Sequence, residues 1–256
     1  MKRELLYLST IDEKAHVLSK KYGLGLELAE FCTAWNLDEK REETDRNIGE
    51  KMPYTNRFVL HGPFSELFPC AIDPMIRKVA AHRYRQTIEA AQALGVRKIV
   101  IHGGYNPKIY FPCWYIEQSV VFWKEFVKEI PDDITICLEN VLEEEPEMLV
   151  NILREVDSPK IRMCLDVGHA NAYSKISVFK WIQHCAPYIS HFHVHNNDGT
   201  VDAHNPLNLG TIPMKELLST IEQSCPKTTV TLELMEAESS LRWLLEENLL
   251  EESLWN

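Results

Sequence analysis

No strand of this 256-residue chain is followed by G-x-G-x-x-G, and no P-loop pattern occurs, so neither common glycine-rich phosphate cradle is present. The seven cysteines (Cys32, Cys70, Cys113, Cys137, Cys164, Cys185 and Cys225) include no C-x-x-C pair and are odd in number. That pattern predicts reduced, mostly buried thiols rather than a disulfide framework. No apolar run approaches membrane-spanning length, and Met1-Lys2-Arg3 leads into an apolar segment too short for a signal peptide. A cytoplasmic protein with no membrane partner is the expectation. Positive charge is scarce, with 27 Lys and Arg against 38 Asp and Glu and a net charge of −11. An extended DNA partner is therefore disfavoured unless metal ions or a local basic patch offset the repulsion. Linkers rich in Gly, Pro or Ser are also missing, which argues for one domain spanning residues 1–256.

What the chain does have is a regular alternation of short β-type runs and helical periodicity. Strands are predicted at Leu5–Ser9, Gly23–Phe31, Phe58–His61, Lys98–His102, Thr135–Glu139, Ile161–Asp166, Ile189–His195 and Thr229–Leu234. Between and after them, helices are predicted from Asp12 to Lys20, at Pro74–Leu94, Tyr115–Ile130, Pro146–Val156, Ser177–Cys185, Pro213–Gln223 and Glu238–Leu249. The charged stretch Asp38–Lys51 reads as an exposed helix or loop. Eight β/α units in roughly 250 residues is the expected size of a closed (β/α)8 TIM barrel; a doubly wound open sheet is the alternative. Trp123 and Phe126 on the Tyr115–Ile130 helix are assigned to the core rather than to the interface of a homo-oligomer, although such an assembly is compatible with the sequence.

A TIM barrel carries its active site at the C-terminal ends of its strands. Those ends read His61, His102, Glu139, Asp166, His193 and Glu233 for strands three to eight. Side chains alternate along a strand, so the residues just before them (Leu60, Ile101, Leu138, Leu165, Phe192 and Leu232) face the helices, and all six are apolar. Six strands ending on His, Asp or Glu at one level is the pattern of a metal or acid–base centre. His169, three residues past Asp166, joins Asp202 and His204 of the D-A-H triplet as further donors. Nitrogen and carboxylate ligands without thiolate suit zinc or manganese. Nine donors exceed the need of one ion, so one to three ions per chain are expected, with Glu139 central enough to bridge a pair. His195, Trp35 and Phe64 are assigned to substrate. For His195, support of a ligand is the other reading, and for Phe64 it is core or lid packing.

At these residues the chain resembles the xylose isomerase-like TIM barrels, a superfamily that includes the endonuclease IV (AP endonuclease family 2) enzymes. The similarity runs through LHGPF (60–64), VIHGG (100–104), CLEN (137–140), CLDVGHA (164–170), HVHNNDG (193–199), DAHNPLNLG (202–210) and TLEL (231–234). It implies a one-metal quartet of Glu139, Asp166, His193 and Glu233, as in the sugar isomerases and epimerases. It also implies the remaining ligands of an endonuclease IV-like trinuclear zinc site at His61, His102, His169, Asp202 and His204. Two departures stand out: Asn208-Leu209-Gly210 replaces a G-E-G-like turn, and the loop after strand two (CTAWNLDEKREETD) is acidic and poor in the arginine that grips DNA.

Two activities follow. The first is a metal-dependent isomerase or epimerase acting on a sugar or sugar phosphate, with Glu139 and Glu233 removing and returning a proton. The second is a zinc phosphodiesterase of the endonuclease IV kind, cleaving abasic DNA or a small phosphoester. The acidic charge favours the first, and the full nine-donor set favours the second. A purely non-catalytic metal-binding protein would be expected to have lost some of those donors.

Overall fold

The eight strands pair in sequence order and close on themselves, all parallel. They are β1 (Leu6–Ser9), β2 (Gly25–Leu28), β3 (Phe58–His61), β4 (Lys98–His102), β5 (Thr135–Glu139), β6 (Ile161–Asp166), β7 (Ile189–Val194) and β8 (Thr229–Leu232). This computed structural model describes residues 1–251. The predicted (β/α)8 barrel forms as a single domain. β3 to β6 carry the expected bounds, whereas β1, β2, β7 and β8 are shorter than their β-type runs. Gly23 takes a left-handed conformation (φ 67°) that ends the helix Ala15–Tyr22, so β2 cannot begin there.

Strand parity sorts the side chains. Tyr7, Val59, Val100, Cys137 and Cys164 form a separate cluster inside the barrel. Leu60, Ile101, Leu138, Leu165, Phe192 and Leu232 belong to the larger core between barrel and helices. Gly25 belongs to this packing as well: a Cβ there would lie 2.3 Å from Tyr7 Cδ1, so only glycine lets the Tyr7 ring fill the base of the barrel.

The helices follow their local signals. Asp73 accepts from the Met75 amide at 2.7 Å to cap the start of Pro74–Leu94, and Gly95 at φ 69° ends it. Trp123 and Phe126 are buried in the core on the helix Pro112–Phe126, as assigned. The charged stretch forms a helix at Arg41–Lys51 that buries Thr44 and Ile48. Two short helices carry too few turns to show periodicity, Ala34–Leu37 and Val167–Tyr173. All seven cysteines are free. No helix among the described residues is long and apolar enough to cross a membrane.

Candidate metal centre

β3, β4, β5 and β6 end on His61, His102, Glu139 and Asp166, His193 is the penultimate residue of β7, and Glu233 follows β8 directly. Register sets the ring: His102 lies opposite Glu139, and Asp166 opposite His193. Asn140 clamps two strand ends together, donating to the Asp166 carbonyl and accepting from the Asp166 amide, both at 2.9 Å. The Asp166 side chain then caps the helix Val167–Tyr173, its Oδ1 accepting from the His169 amide at 2.6 Å. That cap is why D-V-G-H brings His169 to the mouth. Asp202 and His204 arrive on a loop folded back by paired Asn196 and Asn205 backbone bonds of 3.1 and 2.9 Å. His204 itself sits in the left-handed region at φ 46°, a conformation uncommon for a residue with a side chain.

Glu139 is the hub. Its Oε2 lies 3.3 Å from His61 Nε2 and 3.5 Å from His102 Nε2. Its Oε1 lies 3.3 Å from His193 Nδ1, which is also 3.1 Å from Glu233 Oε2 and 3.8 Å from Asp166 Oδ2. Two of the groups of converging ligand atoms contain it: His61, His102 and Glu139, then Glu139, Asp166, His193 and Glu233; His195, His204 and Glu233 form another beside them. At the outer edge, Asp202 Oδ2 lies 3.2 Å from His169 Nε2 and 3.0 Å from His204 Nε2. Separations of about 3.3 Å are those between ligands held about 2.0 Å from a tetrahedral cation.

The donors also face the right way. His61 and His169 use Nδ1 to reach the carbonyls of Gly62 and Asn140, and His204 uses Nδ1 to reach that of Glu233, each at 2.9 Å. A carbonyl accepts only, so these Nδ1 atoms carry a proton, and each Nε2 is aimed at the carboxylates, where its lone pair is available to a cation once any second proton has left. Tying the far nitrogen to an acceptor is the arrangement that orients histidine ligands of metals. Among the described residues, buried Glu139 Oε2, Asp166 Oδ2, His195 Nε2 and Asp202 Oδ1 have no hydrogen-bond partner. Four unpartnered polar atoms at one point are costly unless something binds them. This donor set fits divalent cations.

The electrostatics agree. Burial works to raise the Glu139 pKa, but the charge of His193 and hydrogen bonds from His169 and His193 hold it well below the usual carboxylate range. For Asp202, burial is likewise outweighed by hydrogen bonds from His169 and His204. Burial pushes His102 down to about 4, leaving a neutral imidazole. His204 goes the other way: burial opposes protonation, yet its bond to Asp202 and the Glu233 charge push it up to about 9.

The structure brings together all nine residues expected as ligands. The three assigned to substrate divide. His195 is fully buried, with Nε2 at 3.3 Å from both Asp166 Oδ1 and Asp202 Oδ1, among the ligands rather than at the opening. A Cβ on Gly168 would lie 1.8 Å from the His195 ring, so the glycine of CLDVGHA makes room for it. Phe64 is 37% exposed and stacks on His102 with ring centroids 4.3 Å apart, so it buttresses a ligand while keeping an edge open. Trp35 is 59% exposed on the short helix following β2.

One residue of the centre lies outside the strand ends read from the sequence. Glu27, inside β2, is completely buried and accepts from His193 Nε2 at 2.8 Å. Its signal is parity: a lone carboxylate between Leu26 and Leu28 in an otherwise apolar strand.

The family model for the xylose isomerase-like TIM barrel matches residues 22–252. An uncharacterized protein of Methanocaldococcus jannaschii, MJ1311, is 32% identical over 193 residues, covering 70% of this chain and 66% of the relative. A probable endonuclease 4 of Ureaplasma urealyticum serovar 10 is 26% identical, covering 65% of this chain and 60% of the relative. The chain thus spans just under two thirds of the length of these two curated relatives. Among solved structures, a D-tagatose 3-epimerase-like protein superposes with a TM-score of 0.79 at 23% identity, covering 95% of this chain and 96% of its own. A Thermus thermophilus protein soaked with zinc chloride gives 0.75 at 23% identity, covering 94% of this chain and 97% of its own.

Proposed function

This chain belongs to the xylose isomerase-like TIM barrel family, and we propose that within it the chain is a multi-cation enzyme that hydrolyses a small phosphoester. The observation that carries this is the division of Glu139, whose two oxygens face two different sets of ligands. Asp166 also turns its oxygens apart, with Oδ2 toward His193 and Oδ1 toward His195 Nε2 and the His169 amide. A shared Glu139 would set two cation positions side by side, and Asp202 with His169 and His204 would offer a third beside them, which proton transfer does not require. Cations bound there, zinc or manganese by their donors, would neutralise phosphate charge and make water a better nucleophile. The chain's own residues do the rest. Glu139 and Asp166 hold the positions at fixed spacing, and the histidines offer lone pairs in fixed orientation. Phe64 and the His102 ring it covers wall one side against solvent. The net charge of −11 weighs against an extended DNA substrate and leaves a small phosphorylated sugar or similar ester.

Sequence alone favours the isomerase or epimerase, and one observation keeps that reading as the second. Glu139 and Glu233 flank a single point, the His193 Nδ1 atom, from two sides of the barrel. Two carboxylates about one bound substrate is what removal and return of a proton demand. The shared fold of the D-tagatose 3-epimerase-like protein adds support.

The two reactions separate in one experiment. Zinc- and manganese-loaded protein is assayed for phosphate release from sugar phosphates and aryl phosphates, for nicking of abasic DNA, and for deuterium wash-in from solvent into ketoses. Hydrolysis of small esters that is lost in His169→Ala, without wash-in, is the expected result. Wash-in that survives His169→Ala and is lost in Glu233→Gln would replace hydrolysis by epimerisation.

A further inference from the structure

We infer that Glu27 is a positioning residue that fixes which nitrogen His193 turns to the metal centre, a role that rests on reading the barrel mouth as a cation site. Glu27 lies one layer below the ring, paired with Ser9 on β1 and Val59 on β3. Its inward neighbours in that layer include Val59, Val100, Cys137 and Cys164, an environment in which an apolar side chain would pack at no electrostatic cost. A carboxylate is held there instead, and all its partners are hydrogen-bond donors.

The polarity of these bonds can be followed atom by atom. Glu27 Oε1 faces His193 Nε2 at 2.8 Å. Glu27 Oε2 takes the Thr231 hydroxyl at 2.5 Å and faces His191 Nε2 at 2.9 Å. An ionised carboxylate only accepts, so both imidazoles present Nε2–H to it. His191 Nδ1 is then the acceptor for the Thr229 hydroxyl at 2.6 Å, and Thr229 Oγ1 in turn accepts from Lys98 Nζ at 2.6 Å. Every group in the path from Lys98 to His193 is used in one direction without conflict. At its upper end, His193 Nδ1 is the nitrogen that faces Glu139 and Glu233, and its lone pair is available to a cation once its proton has left. Glu27 thus does for His193 what backbone carbonyls do for His61, His169 and His204. It does so from a different strand, so β2 is coupled to a ligand on β7. A carboxylate behind a ligating imidazole also makes the ligand more basic, and loss of such a partner weakens metal binding about 10- to 100-fold.

Glutamine at position 27 is nearly isosteric but cannot accept at both ends. Its amide must meet either His193 Nε2–H or the Thr231 and His191 donors with a donor of its own. The test uses zinc as the probe. Dissociation constants are measured by chelator competition for wild type, Glu27→Gln and Thr231→Val, with circular dichroism and thermal melts confirming folding. Nitrogen-15 histidine spectra of zinc-loaded wild type identify the ligating ring atom. Expected are Nδ1 ligation with a protonated, slowly exchanging Nε2 in wild type, and zinc binding weakened about 10- to 100-fold in Glu27→Gln. Thr231→Val, which trims the partners of Glu27 but leaves its contact with His193, should lose less. Ligation through His193 Nε2, or equal zinc affinity in folded Glu27→Gln, overturns the positioning role while the metal centre stands. Wild type that takes up no zinc overturns the centre itself, and the role of Glu27 with it. The wild-type spectrum alone is decisive even where a variant fails to fold.

Discussion

Glu139→Ala is expected to lower turnover at least several hundredfold and to empty two cation positions together. Removing one well-placed electrostatic group from a reaction centre costs on the order of 10² to 10³ in rate, and Glu139 serves two positions. The loss should not be one of folding. Glu139 is 1% exposed, and in the metal-free protein its partners are the imidazoles of His61, His102, His169 and His193. Truncation leaves those imidazoles without a counter-charge, but each can revert to its neutral form, and His102 is already held neutral. The variant should therefore melt cooperatively, bind fewer equivalents of zinc, and retain substrate turnover only at a trace level. Full activity with normal metal content in Glu139→Ala would remove the bridging role.

Cation affinity at the outer position should rise with pH from neutrality to at least about pH 9. Both imidazoles there hold their protons above the ordinary histidine range, His204 pushed up to about 9, so that near neutrality protons must leave before Nε2 can ligate. Competition titrations at several pH values, with proton release measured calorimetrically in two buffers, read this directly. The same shift has a stability consequence of known sign. The folded-state pKa of His204 lies above the unfolded value of about 6.5, so its protonated pairing with Asp202 stabilises the metal-free fold fully below that pH. The contribution is lost as pH rises through about 9. Metal-free protein should thus melt lower at alkaline pH than at neutral pH, and bound zinc should flatten the trend. A metal-free melting temperature that rises over the same interval would contradict the pairing.

Periodicity makes the barrel legible, because buried parallel strands and amphipathic helices write different repeats into the chain. β3 to β6 can be bounded from residue types alone, since each ends on a polar residue that breaks an apolar run. The ring of His61, His102, Glu139, Asp166, His193 and Glu233 is legible for the same reason. His169 is placed by its spacing from Asp166, although its seven-residue helix is too short to show a repeat; what forms that helix is the Asp166 cap. Neither the approach of Asp202 and His204 nor the burial of His195 leaves a periodic signal, because both depend on the loop held by Asn196 and on the space beside Gly168. Glu27 escapes because it lies within a strand rather than at its end. Only the closure of the barrel, which sets β2 across from β7, explains why a carboxylate belongs there.

The central claim is that cation positions share carboxylates at the mouth of the barrel. Counting the metal in crystals of zinc-loaded protein, by anomalous scattering at the zinc edge, tests it most directly. Three adjoining peaks are predicted: one among His61, His102 and Glu139, one among Glu139, Asp166, His193 and Glu233, and one at Asp202 with His169 and His204. A single peak within the Glu139, Asp166, His193 and Glu233 quartet at saturating zinc, with Glu139 ligating through one oxygen only, would contradict it.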